Sequence, residues 1–434
     1  MTQQTTSPIR GWTVVIAAVS INLILGVLYA WSVMGKALVA QWNWTRADAS
    51  LPFTISAASF ALMMIFAGRA QDKIGPRYVA MLGGIILGLG LMASSFAKTP
   101  TMMLITFGLV GGLGIGLGYS ATTPPSIKWF PPARKGLITG IVVSGVGLAA
   151  VWIAPLTQYL LKAYAGPNSI PNTFLTLGVG TVVLVALLSQ ALANPPAGYT
   201  PAPAAAPGTP AVKAPTARPN LDWHEMLHTG QFYQLWLMFV LAASAGLMII
   251  SQVALIAKDQ AHIDKLGYAP VAILAIFNTL GRVVSGFLSD RIGRTNTMIL
   301  AFVLQAANMF AFSYYTTPPL LIFGAAFTGL CYGTIFTLFP ATTADFYGVK
   351  NLGVNYGLVF TGFGVAGVIG PMLGGKIRDA FGDYHNAFTI SAIMLLAGAV
   401  LAFILKAPKT DPTSRPAGLV GGQKSADQAE AIKK

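Results

Sequence analysis

Long stretches without a charged side chain are the feature that most constrains how this chain can fold. Only 9% of its residues are charged, against about 25% in an ordinary globular protein. Roughly 20 helical residues cross a bilayer's hydrocarbon core, where no water satisfies the backbone, so stretches of this length must be helices. The stretches without Asp, Glu, Lys or Arg are 11–35, 49–68, 78–97, 99–127, 136–161, 230–257 and 351–375. The sequence therefore predicts an all-α membrane protein.

We predict twelve membrane-spanning helices. The uncharged run 295–344 is too long for one helix and is divided at Thr316–Pro319, while Gly166–Asn168 and Pro171 separate helices five and six. The predicted helices lie near 11–35, 50–69, 78–97, 100–124, 136–163, 172–194, 231–256, 267–289, 296–314, 319–343, 353–376 and 385–406.

A segment rich in Pro and Ala, residues 195–220, cannot form a packed core and divides the chain into two groups of six helices. The region around Trp223 is predicted to be a short cytoplasmic segment, a lead-in, directly before helix seven. The predicted organisation is an N-terminal six-helix bundle (1–194), a cytoplasmic linker (195–229), a C-terminal six-helix bundle (230–409) and a disordered cytoplasmic tail (410–434).

The net charge of +14 follows from the predicted topology. With the N-terminus placed in the cytoplasm, cytoplasmic segments hold 18 Lys and Arg residues and external segments hold eight. This is the bias that the positive-inside rule describes. The basic excess therefore gives no indication of nucleic-acid binding, and both termini are expected in the cytoplasm.

A repeated motif relates the two groups of helices. The pattern G-x-x-x-D-[KR]-I-G begins at Gly68 after helix two and at Gly286 after helix eight, and an Arg follows each copy. Self-similarity at half the chain length indicates duplicated bundles. The acid of each copy can accept hydrogen bonds from a neighbouring helix N-terminus or pair with the following Arg, which makes a latch that breaks when the halves move. The predicted latch residues are Asp72, Arg77, Asp290 and Arg294.

This motif resembles the signature of the major facilitator superfamily, and its duplication strengthens the resemblance. A loop that served only topology would need basic residues, but no Asp and Gly at fixed spacing. The resemblance implies two six-helix bundles with a transport site between them at mid-membrane.

Arg282 lies midway along helix eight, where a guanidinium costs about 2.5–3.5 kcal/mol and needs a partner or a wet cavity. No Asp or Glu lies inside any predicted span, and Asp290 is two turns away. A permanently charged bidentate donor without a counter-ion suits an anionic substrate. The alternative is that Arg282 reaches Asp290 or carbonyl groups and orders the latch. Asn278 lies on the same helix face as Arg282. Its amide can hydrogen-bond to the hydroxyl or keto oxygen of a small carboxylate; the alternative is that it forms a hydrogen bond between helices.

Aromatic side chains complete the predicted site. Tyr119 in Gly-rich helix four and Tyr332 in Gly-rich helix ten occupy corresponding places in the two halves. Their hydroxyls can supply donors from opposite halves, although packing explains each of them equally well. Phe360 and Phe363 of helix eleven are predicted to form an apolar wall for the alkyl end of a small acid.

Two further segments bring a narrower resemblance. Gly26–Val33 lies in helix one, and Trp129–Gly140 carries an aromatic-Phe pair, a basic pair and Leu-x-x-Gly before helix five. With these segments the chain resembles the monocarboxylate transporter family, above all its bacterial proton-coupled L-lactate transporters, and is similar to the oxalate–formate antiporter branch. The resemblance implies a bacterial inner-membrane protein that holds the substrate carboxylate with Arg282. Leu28 and Tyr29 of the first segment complete the predicted substrate-binding residues.

The chain departs from these relatives at three positions. Asn278 stands where the animal monocarboxylate transporters have an Asp, and Val33 stands where they have a Lys, and both groups are implicated in proton coupling in that family. Phe363 stands where the oxalate–formate branch has a Lys, which leaves one fixed positive charge for the substrate. Asp259, at the outer end of helix seven, is the first candidate for the proton carrier; the alternative is a solvated loop end.

The sequence thus predicts a monomeric secondary transporter, and not an enzyme, that moves small monocarboxylates such as L-lactate and pyruvate with a proton by alternating access. Exchange of organic anions of the oxalate–formate kind is the alternative. A membrane enzyme would need acids or histidines inside the spans, and a sensor would need a folded cytoplasmic domain. The sequence contains no metal-ligand cluster, catalytic triad or phosphate-binding loop, so no metal or cofactor is expected.

Overall fold

The computed structural model describes residues 8–196, 198–201, 220–261 and 269–408, and these residues fold almost entirely into helices. The α-helices are α1 (Pro8–Leu25), α2 (Trp31–Trp42), α3 (Arg46–Ile74), α4 (Pro76–Ser94), α5 (Pro100–Met103), α6 (Gly112–Ser120), α7 (Thr123–Lys128), α8 (Lys135–Ala163), α9 (Ser169–Ser189), α10 (Trp223–Leu227), α11 (Gly230–Ala261), α12 (Ala269–Ile292), α13 (Arg294–Phe312), α14 (Pro318–Tyr347), α15 (Leu352–Phe381) and α16 (His385–Ile404). Two 3₁₀ helices (Gly26–Ala30 and Pro132–Arg134) and a π-helix (Leu104–Gly111) join them.

Twelve helical segments of the described residues are long and apolar enough to cross a membrane, which confirms the predicted all-α fold class of twelve transmembrane helices. We number these segments as spans. Span 1 combines α1, the first 3₁₀ helix and α2, and span 4 runs from α5 through the π-helix to α7. Spans 2, 3, 5 and 6 are α3, α4, α8 and α9, and spans 7–12 are α11–α16. We call spans 1–6 the N-terminal half and spans 7–12 the C-terminal half.

An even number of spans brings the start of span 1 and the end of span 12 to one face of the bundle, here called the terminal face. Both copies of the repeated motif turn at this face. The closing glycines of the two copies, Gly75 and Gly293, have the same φ of +92°, which a residue with a Cβ atom rarely adopts. The same tight turn therefore joins span 2 to span 3 and span 8 to span 9.

The two halves meet where span 2 packs on span 11 and where span 5 packs on span 8. A Cβ atom at Gly68 would overlap the Gly353 carbonyl, and a Cβ atom at Gly286 would overlap the Gly136 carbonyl. The opening glycine of each motif copy therefore allows backbones of opposite halves to touch near the terminal face.

Span 1 is longer than the predicted 11–35 and is not a continuous α-helix. It extends to Trp42 and contains the 3₁₀ turn Gly26–Ala30. At the start of this turn, Gly26 packs closely on Ala149 of span 5. Directly after it, the Trp31 indole donates to the Ala49 carbonyl at 2.7 Å. A 3₁₀ segment inside a long helix often marks a hinge.

The predicted break within run 295–344 is confirmed, since span 9 ends at Phe312 and span 10 begins at Pro318. The break between spans 5 and 6 is shorter than predicted. Helix α8 ends at Ala163 and α9 begins at Ser169, so Pro171 lies in the first helical turn. Its missing amide hydrogen has no intrahelical acceptor there, which is why proline is tolerated.

The predicted linker is described only in part, since residues 202–219, like the predicted tail 410–434, lie outside the described residues. Its end forms α10, which begins with a capping box between Asp222 and Glu225. The Leu221 amide donates to the Tyr347 carbonyl at 3.0 Å. The lead-in to span 7 is therefore attached to the end of span 10.

Candidate functional site

Close packing of span 8 on span 10 holds Arg282 in the middle of the bundle. A Cβ atom at Gly333 of span 10 would overlap the Asn278 carbonyl of span 8. One turn further along span 10, the Thr337 hydroxyl donates to the Arg282 carbonyl at 2.9 Å. The backbone that carries the arginine is therefore fixed to its neighbour at the level of the side chain.

The Arg282 side chain is 1% exposed. Its Nε donates to Asn278 Oδ1 at 3.0 Å, and its Nη1 donates to the Val143 carbonyl of span 5 at 2.5 Å. Its Cζ lies 4.5 Å from the centre of the Phe336 ring, a cation–π contact. The ion pairs found among the described residues do not include Arg282. The buried cation thus bridges the two halves through a carbonyl rather than a carboxylate.

An aromatic cluster adjoins this guanidinium. The Phe336 and Phe363 rings are 5.5 Å apart between centres, and those of Phe363 and Phe360 are 5.1 Å apart. Phe360 is completely buried and lies 5.1 Å from Phe60 of span 2 and 5.8 Å from Phe239 of span 7. Both predicted wall residues therefore belong to the cluster, together with three phenylalanines that sequence reasoning missed.

The two predicted tyrosines lie in different surroundings. Tyr119 contacts both halves, since its ring is 5.5 Å from Phe60 and 5.9 Å from Phe360. Tyr332 lies 5.2 Å from Phe336, but its ring packs on Gly246 and lines a small cavity between spans 7, 9, 10 and 12. The correspondence in sequence reverses the order of Gly and Tyr, and successive residues of a helix point about 100° apart. The two side chains therefore face differently.

Tyr356 is a further polar residue of the cluster that sequence reasoning did not select. Its hydroxyl is fully enclosed and makes no well-formed hydrogen bond within the described part of the chain. Tyr119 lies beside it in loose hydrogen-bonding range, and the charge of Arg282 acts on it electrostatically. The Tyr356 ring lies 5.7 Å from Phe360. Its spacing four residues before Phe360 was the available signal, since residues i and i+4 share a helix face.

Span 1 contributes less of the site than predicted, as far as its side chains are described. Leu28 is half-buried against the core, and the side chain of Tyr29 lies outside the described residues. The fully buried polar residue of this span is Asn22, which was not predicted. Asn22 Nδ2 donates to the Val142 carbonyl at 2.8 Å, and its Oδ1 accepts from the Thr122 hydroxyl at 3.3 Å.

Asp259 lies at the face opposite the terminal face, and its carboxylate pairs with Arg378 of span 11. The Arg378 Nη2 and Nε atoms donate to Asp259 Oδ2 at 2.9 and 3.1 Å, and both side chains are more than a third exposed. Tyr384 adjoins the pair, with its ring centre 5.9 Å from Arg378 Cζ. Burial raises the pKa of Tyr384 above its ordinary value.

At the terminal face, Asp290 caps the N-terminus of span 5. Its carboxylate accepts from the Gly136 and Leu137 amides at 2.9 and 2.8 Å. Arg294 Nη1 donates to the same carboxylate at 2.6 Å. The negative charge thus lies between an arginine of its own half and the positive end of a helix from the other half.

Asp345, at the end of span 10, extends this network and was not predicted. It accepts from Arg294 Nε at 3.0 Å and from Lys135 Nζ at 3.0 Å. Since Lys135 begins span 5, this is a second charged contact between the halves.

The N-terminal motif copy makes the equivalent contact with span 11. Asp72 accepts from the Gly353 and Val354 amides at 3.3 and 3.1 Å. Arg77 does not pair with Asp72. Its exposed guanidinium instead lies 5.9 Å from the centre of the neighbouring Tyr78 ring. Asp72 and Asp290 therefore occupy equivalent positions. An ion pair with the following arginine was expected in both motif copies, but of these two pairs only Asp290–Arg294 forms.

The chain matches the Major Facilitator Superfamily over residues 12–315 and 270–433. The chain belongs to the Major Facilitator Superfamily. Both motif copies and Arg282 lie within the matched residues. Folds of this superfamily place two six-helix halves around an axis along the membrane normal, with the binding site at their interface. The bond from Arg282 to the Val143 carbonyl lies at that interface.

Relatives within and beyond bacteria share nearly the whole length of the chain. The oxalate:formate antiporter of Oxalobacter formigenes is 27% identical over 401 residues, which cover 91% of each protein. Monocarboxylate transporter 13 of Rattus norvegicus is 28% identical over 422 residues, which cover 94% of this chain and 93% of that protein. Among solved structures, the proton:xylose symporter XylE bound to 6-bromo-6-deoxy-D-glucose aligns with a TM-score of 0.68 at 11% identity, over 91% of this chain and 96% of that one. This last similarity shows a shared fold.

Proposed function

We propose that this protein moves small monocarboxylates, such as L-lactate and pyruvate, across the membrane together with a proton. The observation that carries the proposal is the environment of Arg282. This buried cation is bound by an amide and a carbonyl, and it adjoins an aromatic wall. An anion with one negative charge and a short apolar end matches both features.

Substrate binding requires Arg282 to exchange one partner. Its Nη1 leaves the Val143 carbonyl and, together with the second terminal nitrogen, binds the substrate carboxylate through two parallel hydrogen bonds. Asn278 continues to accept from Nε and so keeps the guanidinium in its orientation. The alkyl end of the acid then packs on Phe360 and Phe363. Because Val143 belongs to the other half, this exchange links substrate binding to the contact between the halves.

One fixed positive charge favours monocarboxylates over dicarboxylates. A second carboxylate in this aromatic site would have no cation, and burying such a group unpaired costs several kcal/mol. The similarity to monocarboxylate transporter 13 supports this substrate class. The similarity to the oxalate:formate antiporter supports the alternative, exchange of organic anions by the same alternating-access motion.

Alternating access would open and close the two latch contacts. We place the terminal face in the cytoplasm of a bacterial inner membrane, because most Lys and Arg residues lie in segments on that side. In this state Asp72 and Asp290 each bind a helix N-terminus of the opposite half. The protein is proposed to act as a monomer, so the path to the cytoplasm must open between its own two halves. Both contacts must therefore break before substrate is released on that side.

The proton is proposed to travel through Asp259. Its carboxylate lies near the outer entrance and pairs with Arg378. Protonation would end that pairing, so proton binding can change the contact between spans 7 and 11.

Uptake into inverted or right-side-out vesicles tests the proposal. Labelled L-lactate, pyruvate, formate and oxalate are compared with and without an inward proton gradient. The proposal expects lactate and pyruvate to accumulate with the gradient. Oxalate uptake that requires formate on the other side and ignores the gradient would instead support the exchanger.

A further inference from the structure

Tyr356 has an enclosed hydroxyl whose presence is not explained by packing. Buried tyrosine hydroxyls usually find a hydrogen-bond partner, because an enclosed donor without one carries a desolvation cost. The Tyr356 hydroxyl has no well-formed hydrogen bond in the described part of the chain. A phenylalanine would fill the same space without that cost.

The backbone next to Tyr356 packs tightly against the other half. Gly357 packs so closely on the Met64 carbonyl of span 2 that a Cβ atom there would overlap it. The Tyr356 ring packs on Phe360, 5.7 Å away. This part of span 11 is therefore held against span 2 while the two halves are in contact.

The groups around the hydroxyl indicate which atom it would meet. Tyr119 lies beside it without completing a well-formed hydrogen bond, and the positive charge of Arg282, the proposed carboxylate anchor, acts on it electrostatically. In a 2-hydroxy or 2-oxo acid, the second oxygen is on the carbon next to the carboxylate. It must therefore bind near Arg282 as well. Asn278 Oδ1 already accepts one hydrogen bond, from Arg282 Nε, so a further polar group near Arg282 would help to hold that second oxygen.

We propose that the Tyr356 hydroxyl donates a hydrogen bond to the oxygen on the second carbon of the substrate, and so makes the site selective for 2-hydroxy and 2-oxo monocarboxylates. This assignment rests on the proposed function. A hydroxyl donor serves both classes, since a keto oxygen and a hydroxyl oxygen both accept. An acid without that oxygen, such as propionate, leaves the donor unpaired and is bound less tightly.

Tyr356→Phe removes the hydroxyl and little else. In a proteoliposome assay of labelled L-lactate uptake, the half-inhibitory concentrations of unlabelled lactate and pyruvate should rise roughly five- to tenfold, the effect of one hydrogen bond. The value for propionate should not change. Thermal stability should not fall, because no formed hydrogen bond is removed. Wild-type protein should already prefer lactate to propionate by a similar factor.

Tyr347→Phe is the matched control. Tyr347 is also a buried tyrosine, but its hydroxyl pairs with Thr229 at 3.1 Å at the terminal face. Its loss should leave the ratio of lactate to propionate affinity unchanged.

The outcomes separate this inference from the function on which it rests. If Tyr356→Phe changes lactate and propionate equally, or changes neither, the inference is wrong and the transport proposal stands. Equal affinities of the wild-type protein for lactate and propionate would also overturn it, even if the variant failed to fold. A folded wild-type protein that takes up none of these acids would overturn both.

Discussion

Asp290→Asn should weaken the closed terminal face, and the hydrogen bonds of Asp290 set the size of the effect. The carboxylate accepts from two backbone amides of span 5 and from Arg294. An asparagine keeps one acceptor oxygen, and its amide nitrogen would face donors, so about two charge-assisted bonds are lost. At about 1.5 kcal/mol each, the loss is about 3 kcal/mol. The side chain is 10% exposed, so solvent screens little of it.

A change of about 3 kcal/mol alters the ratio of closed to open terminal faces roughly 100-fold, since each 1.4 kcal/mol is a factor of ten. Distances between spin labels on the two halves measure this ratio. Ile74 and Ile292 are equivalent positions in the two motif copies and are 59% and 42% exposed. Both can be labelled as cysteines after Cys331, the one cysteine of the sequence, is replaced by serine.

The labels should move apart in a large fraction of Asp290→Asn molecules. Asp379→Asn is the control, because Asp379 is an exposed acid at the opposite face and its loss should leave the distances unchanged. An unaltered distance distribution in Asp290→Asn, with the protein intact, would refute the latch.

Four further predictions concern proton coupling, substrate charge and stability. Lactate uptake should respond to an inward pH gradient and ignore a potassium/valinomycin potential, because a monoanion carried with one proton moves no net charge. Asp259→Asn should remove the pH response, and unchanged pH dependence would exclude Asp259 as carrier. Phe363→Lys should weaken monocarboxylate uptake and admit dicarboxylates in competition assays; oxalate that displaces lactate from the wild-type protein at comparable concentration would contradict the one-charge argument. Gln71→Leu should raise the melting temperature, because neither amide atom of this buried side chain has a partner in the described residues; a lower value would show that the amide is paired.

Features that depend on a local stretch of the chain, independently of its neighbours in the fold, could be predicted from the sequence. Charge-free length defines a span regardless of its neighbours, so the twelve spans and the break before Pro318 were predictable. The motif turns were predictable too, because Gly75 and Gly293 adopt a backbone conformation that few other residues allow. Arg282 stood out because it is the one charged side chain in the middle of a predicted span, away from the span ends.

Features that depend on how helices are rotated and paired could not be predicted. Tyr332 shows this, because its place in the sequence matches Tyr119 while its ring faces span 7. Asp345 lies at the end of its span and resembles a solvated loop residue until span 5 brings Lys135 within 3.0 Å. Tyr356 becomes notable only when the packed helices enclose its hydroxyl. A single sequence does not state which helix faces which.

The most direct test of the account is the affinity of the purified protein for L-lactate with and without the Arg282 guanidinium. Calorimetric titration compares the wild-type protein with Arg282→Gln and Arg282→Lys, each first shown to be folded and monodisperse. The account predicts saturable binding to the wild-type protein, none detectable with Arg282→Gln, and strongly weakened binding with Arg282→Lys, because the planar two-donor fork is lost. Unchanged lactate affinity in folded Arg282→Gln would contradict the assignment of Arg282 as the carboxylate anchor.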